Sequence, residues 1–85
     1  MKSFEYTIKD KIGIHARPAG LLAKTAKDFK SEIIIEKDGK SVNAARLMQI
    51  MSMGIKCGDT VRVTVSGEDE ESAEREMRDF FEQNL

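Results

Sequence analysis

The chain has 85 residues, with 14 Lys and Arg against 15 Asp and Glu, for a formal charge of −1. That length fits one domain, residues 1–85, and the near-zero charge leaves no basic field to draw nucleic acid or an anionic membrane. One cysteine, Cys57, excludes an internal disulfide and makes no metal site, and no apolar run is long enough for a signal peptide or a membrane span, which points to a cytoplasmic protein.

In chain order, Phe4, Tyr6 and Ile8 alternate with Ser3, Glu5 and Thr7, the pattern of a half-buried strand. Next comes Gly13-Ile14-His15-Ala16-Arg17-Pro18-Ala19, which holds the only histidine and the only proline. Ala19, Leu22, Ala23, Ala26 and Phe29 then recur at helical spacing, so a helix runs to about Lys30. Proline is tolerated in a first helical turn, whereas the residue before it avoids helical backbone, which argues for a start at Pro18. His15 thus stands at or just before a helix N-terminus. Free backbone N–H groups and the helix dipole make such a place an anion site.

Glu32 to Lys37 reads as a second strand through Ile33, Ile34 and Ile35. Asp38-Gly39 is a hairpin signal leading into a third strand, Lys40 to Asn43. Leu47, Met48, Ile50 and Met51 predict a short helix ending at Gly54. Lys56-Cys57-Gly58-Asp59 is a turn. Val61, Val63 and Val65 mark a fourth strand, with Arg62 and Thr64 on its polar face. Acidic residues from Glu68 to Glu71 open a last helix, with Ala73, Met77, Phe80 and Phe81 on its buried stripe.

The order is βαββαβα. Four strands that each bury one face need a single cover, which gives an α+β, two-layer, open-faced sandwich. Thr7, Arg62 and Thr64 would face water on its bare side.

His15 read alone is an ordinary surface or core histidine. Placed at a helix start, with Arg17 two residues on, it is a nucleophile beside an anion site and a fixed cation. That set suits taking up a phosphoryl group and handing it on. The segment Gly13 to Ala19 resembles the active-site signature of HPr, the histidine phosphocarrier of the bacterial phosphoenolpyruvate-dependent sugar phosphotransferase system. Lys40-Ser41-Val42-Asn43 and Met51-Ser52-Met53-Gly54-Ile55 resemble the family's second block, and the likeness spans essentially the whole chain.

The resemblance implies a four-stranded antiparallel sheet with three helices on one face, and a first helix that starts a residue or two before Pro18. It implies that His15 takes phosphate on Nδ1, the pros nitrogen, from phosphorylated Enzyme I and passes it to EIIA domains, with no cofactor and no metal. Ala16, Arg17 and Pro18 would bound the phosphate, and Arg17 would neutralise its charge. Gly20, Leu21, Leu47, Met48 and Met51 would form an apolar docking collar, although core packing is an equal reading for Leu47. The expected form is a monomer that inserts in no membrane and binds no nucleic acid.

Three positions depart from the family pattern. Arg46 stands where many Gram-positive members carry a regulatory serine, so that serine is absent. Ile12 replaces a small polar residue, and Gly20 replaces a polar residue inside the first helix. The missing serine argues against a carbon-catabolite co-repressor role, and Ile12 and Gly20 suggest an auxiliary paralogue. The alternative to a main role in sugar uptake is thus an HPr-like regulatory docking module of an auxiliary or nitrogen-type branch. A small nucleic-acid-binding α/β domain is a further class, opposed by the charge and by five aromatic residues.

Overall fold

The computed structural model describes residues 1–85. Strand β1 (Lys2–Thr7) leads through the loop at residues 8–15 to helix α1 (Ala16–Lys27). Strands β2 (Glu32–Lys37) and β3 (Lys40–Asn43) form a hairpin. Helix α2 (Leu47–Ser52), strand β4 (Thr60–Ser66) and helix α3 (Glu70–Asn84) complete the chain.

The sheet order is β1-β4-β2-β3, and every pair is antiparallel. Strand β4 is central, which explains why Val61, Val63 and Val65 are fully buried. Phe4, Ile33 and Ile35 share that inner face. Beneath them lie Leu22, Ile50, Met77 and Phe81 from the three helices. Phe81 meets the edges of Phe4 and Tyr6, with ring centroids 5.9 and 5.6 Å apart. Burying one such side chain stabilises the fold by roughly 1.5–3 kcal/mol. On the outer face Thr7 and Arg62 are exposed and Thr64 is half-buried, as the alternation requires. No helix is long and apolar enough to cross a membrane.

Both ends of α1 differ from what the local pattern favours, although its start falls two residues before Pro18, as the family resemblance implies. Helix α1 stops at Lys27 rather than near Lys30, and Phe29 packs on the core from the following bend. The cause is a distant residue. The Asp69 carboxylate accepts the N–H groups of Lys30 and Ser31, both at 2.8 Å, and the Ser31 hydroxyl. Those amides are thereby drawn away from a further helical turn. Helix α1 also begins at Ala16, ahead of the start at Pro18 that local backbone preference favours. Burial of Pro18 and Ala19 against the core outweighs the aversion of Arg17 for helical backbone.

Candidate functional site: a histidine at a helix start

The site begins with a turn. Asp10 Oδ1 accepts the Ile12 N–H at 2.9 Å, and the Asp10 carbonyl accepts the Gly13 N–H at 2.9 Å. This is an Asx turn closed by a glycine at φ +83°. Ile14 is buried, and its N–H donates to the Ile55 carbonyl at 3.0 Å. The loop is therefore tied to the segment that joins α2 to β4.

His15 follows as the N-cap of α1, in extended backbone. Its carbonyl accepts the first helical bond, from Ala19 at 3.0 Å. Its side chain does not cap the helix. The N–H groups of Ala16 and Arg17 donate to no group in the protein, as geometry dictates for a first turn. Pro18 has no N–H to offer and contributes a buried apolar wall. Arg17 is exposed and its guanidinium forms no ion pair within the chain. Two free amides, a helix N-terminus and an unpaired guanidinium surround one imidazole. Together they can bind a phosphate dianion attached to it.

His15, Arg17, Pro18 and Leu21 line one shallow depression with Asp10 and Asn84. The sequence reading omitted Asp10 and Asn84. Asp10 carried a signal of its own, an Asp followed three residues later by Gly, which marks a turn. Asn84 carried none, because only the packing of α3 brings it there.

The apolar residues expected around the site divide. Leu21, Leu47, Met48 and Met51 are all exposed, with Leu47 at 40% and Met48 at 78%. The even choice for Leu47 between core and surface thus falls to surface, and Ile50 supplies the buried side of α2. Gly20 is half-buried, and open space lies beyond its Cα. Ile12 is also exposed, on the same loop as His15. Arg46 is the N-cap of α2 and makes no capping bond. Cys57 is exposed in its turn, 3.8 Å from the Lys9 carbonyl.

The carboxylates whose acidity is raised lie away from the histidine. Asp69 is held below its ordinary value by the Ser31 hydroxyl and then the Lys30 N–H. Asp59 is lowered by Lys37, 2.8 Å away, and then by the Lys56 N–H. Glu70 is lowered by the N-terminal ammonium, 2.7 Å away, and then by the Gly67 N–H.

A sandwich of this topology, with an imidazole at an open helix start beside an arginine, defines a class of small α+β domains that present a single histidine at the surface. The family model described as "PTS HPr component phosphorylation site" matches residues 2–83. The chain belongs to the HPr family. It is 40% identical to the phosphocarrier protein HPr of Mycoplasma genitalium, over 99% of this chain and 97% of that one. The crystal structure of HPr-C-His from Thermoanaerobacter tengcongensis superposes with a TM-score of 0.92 at 46% identity, covering 96% of this chain and 92% of that one. Crh, the Bacillus subtilis catabolite repression protein solved as a dimer with a swapped domain, reaches 0.79 at 34% identity. There the match covers 100% of this chain and 98% of that one.

Proposed function

We propose that this chain is a phosphocarrier that accepts a phosphoryl group on His15 Nδ1 from phosphorylated Enzyme I and passes it to EIIA domains in the cytoplasm. The observation that carries this is the imidazole at the N-cap of α1 beside the unpaired amides of Ala16 and Arg17. Transfer between two histidines is nearly even in energy, so positioning and charge neutralisation are what the protein must supply. The amides and Arg17 supply both. Partners dock over His15 on Gly20, Leu21, Leu47, Met48 and Met51; the long apolar side chains of the last four adapt to more than one surface. Met48→Asp, on a position that is 78% exposed, should spare the fold and weaken transfer.

The test mixes the protein with Enzyme I and phosphoenolpyruvate and looks for one acid-labile phosphate by intact mass. His15→Ala should abolish it and leave the circular dichroism unchanged. A wild-type protein that stays unlabelled beside a labelled HPr overturns the proposal. A monomer is the expected working form, and a dimer of the kind solved for Crh is the other outcome. Light scattering at assay concentration checks that.

The likeness to Crh supports a second reading, a regulatory docking module with no main part in sugar uptake. Arg46 at the N-cap of α2 bears on it, because no hydroxyl stands there for a kinase. Phosphorylation of His15 without onward transfer to any EIIA would favour this second reading.

A further inference from the structure

Asp10 lies outside the segment that carries the histidine motif, yet its carboxylate faces the reactive ring. Asp10 Oδ2 is 3.9 Å from His15 Nε2, and both side chains are about one-third exposed. Asp10 is held by one bond to its carboxylate and two to its backbone. Oδ1 accepts the Ile12 N–H, the Asp10 carbonyl accepts the Gly13 N–H, and the Asp10 N–H donates to the Leu85 carbonyl at 2.8 Å. The other polar side chains of the depression are Arg17 and Asn84. Asn84 is engaged, donating to the Phe80 carbonyl at 3.0 Å, and Arg17 is a cation. Asp10 is the one carboxylate within ion-pair reach of the ring.

We infer that Asp10 is a positioning residue for His15: it holds the proton on Nε2 and so keeps the Nδ1 lone pair free to meet phosphorus. This rests on the reading of His15 as the phosphoryl acceptor. In a neutral imidazole one nitrogen carries the proton and the other the lone pair. A carboxylate beside Nε2 selects the tautomer in which Nε2 donates, as carboxylates do for other working histidines. Nδ1, the nitrogen nearer the backbone, is then left for the helix start. The separation of 3.9 Å is longer than a hydrogen bond, and such contacts are often long before the reactive complex forms.

The transfer step gives the carboxylate a second part. The donor is the phosphohistidine of a partner protein. Its N–P bond breaks as the bond from His15 Nδ1 to phosphorus forms, and the electron pair of the broken bond returns to the donor ring. The proton on Nε2 stays where it is. The His15 ring thereby passes from neutral to cationic, facing an anchored anion. Asp10 selects the tautomer before transfer and balances the ring charge after it.

The variant that separates this role from loop structure is Asp10→Asn. Asparagine keeps the shape and an oxygen for the Ile12 N–H. It then turns an NH₂ toward Nε2, which favours the wrong tautomer. Two measurements on the full chain are needed. Nitrogen-15 NMR of the neutral imidazole reads the tautomer directly, and phosphoenolpyruvate with Enzyme I gives the initial rate of labelling. The wild type should show the proton on Nε2. Asp10→Asn should shift it toward Nδ1 and slow labelling roughly tenfold, with the melting temperature unchanged. Asp10→Glu should recover part of the rate. A wild-type tautomer and rate in Asp10→Asn overturn the inference. So does a slower rate that comes with a lower melting temperature and an unchanged tautomer, which would make Asp10 a loop residue only. If the wild type takes no phosphate, the phosphoryl reading falls, and the NMR measurement still decides whether Asp10 directs the ring.

Discussion

Gly13 is packed so closely on Ile55 that a Cβ would run into the Ile55 carbonyl oxygen and lie 2.7 Å from Lys56 Cα. Its φ of +83° is also one that L side chains rarely adopt. Both obstacles are backbone, so neither yields by a rotamer change. The same Ile55 carbonyl accepts the Ile14 N–H, which makes this contact the seat of the His15 loop. Gly13→Ala should lower stability by about 1–3 kcal/mol, read as a shift in the urea midpoint. Labelling of His15 should slow even under conditions where the variant is folded. A variant with unchanged stability would mean that the loop relaxes freely.

Arg17 has no ion-pair partner in the chain, so its removal leaves nothing unsatisfied. Arg17→Ala should keep the wild-type melting temperature. Transfer of phosphate should slow by on the order of tenfold or more, because a charged donor at the reacting group is gone. Arg17→Lys should recover part of the rate, lacking the two-pronged grip of a guanidinium. Stopped-flow or quench measurement of transfer to an EIIA domain checks this, and an unchanged rate would make Arg17 a bystander.

Asp69 ties the end of α1 to the start of α3 through Ser31 and Lys30. Its acidity is raised by those bonds, chiefly the Ser31 hydroxyl, so its folded pKa lies below the ordinary 3.8. A lowered folded pKa means that the unfolded chain binds the proton more readily. The stabilisation is therefore complete above about pH 4 and is lost as the pH falls through the folded value. Asp69→Asn should be less stable than wild type at pH 7, and the gap should narrow toward pH 2. Thermal midpoints from pH 2 to 7 measure it; parallel curves for the two proteins would show that Asp69 has no part in acid sensitivity.

Arg46 occupies the N-cap of α2, with its carbonyl accepting the Ile50 N–H at 3.1 Å. Incubation with HPr kinase and ATP should add no acid-stable phosphate. Ser41 lies in β3 and Ser52 ends α2, where its hydroxyl already donates to the Gln49 carbonyl at 2.8 Å. Neither stands at a helix start, where an added phosphate is stabilised. A mass gain that survives acid in the wild type would contradict this. Labelling of Arg46→Ser alone would assign the difference to that single position.

Much of the architecture was legible from the chain itself, because the relevant patterns are local. The alternation of Phe4 and Tyr6, the three isoleucines of β2, Asp38-Gly39, and Val61, Val63 and Val65 each report a face within a few residues. They determine element type and order, and hence a two-layer sandwich. The placing of His15 at a helix start was equally local, since Pro18 and the apolar spacing after it mark where a helix begins. The resemblance of residues 13–19 then supplied the chemistry.

What needed the folded molecule are relations between residues far apart in sequence. Periodicity states that a strand has one buried face, but not its neighbours, so the central place of β4 in the order β1-β4-β2-β3 came only with the fold. The early start of α1 and its early end were both decided by tertiary forces: burial of Pro18 and Ala19 at one end, and the Asp69 carboxylate 39 residues beyond Lys30 at the other. Whether Leu47 or Ile50 faces the core depended on how α2 lies on its neighbours. The approach of Asp10 to His15 belongs to the same group. The spacing from Asp10 to Gly13 marks a turn, yet its carboxylate is fixed by the amide of Ile12 and its backbone by the carbonyl of Leu85. Only the closed fold brings that carbonyl to the loop.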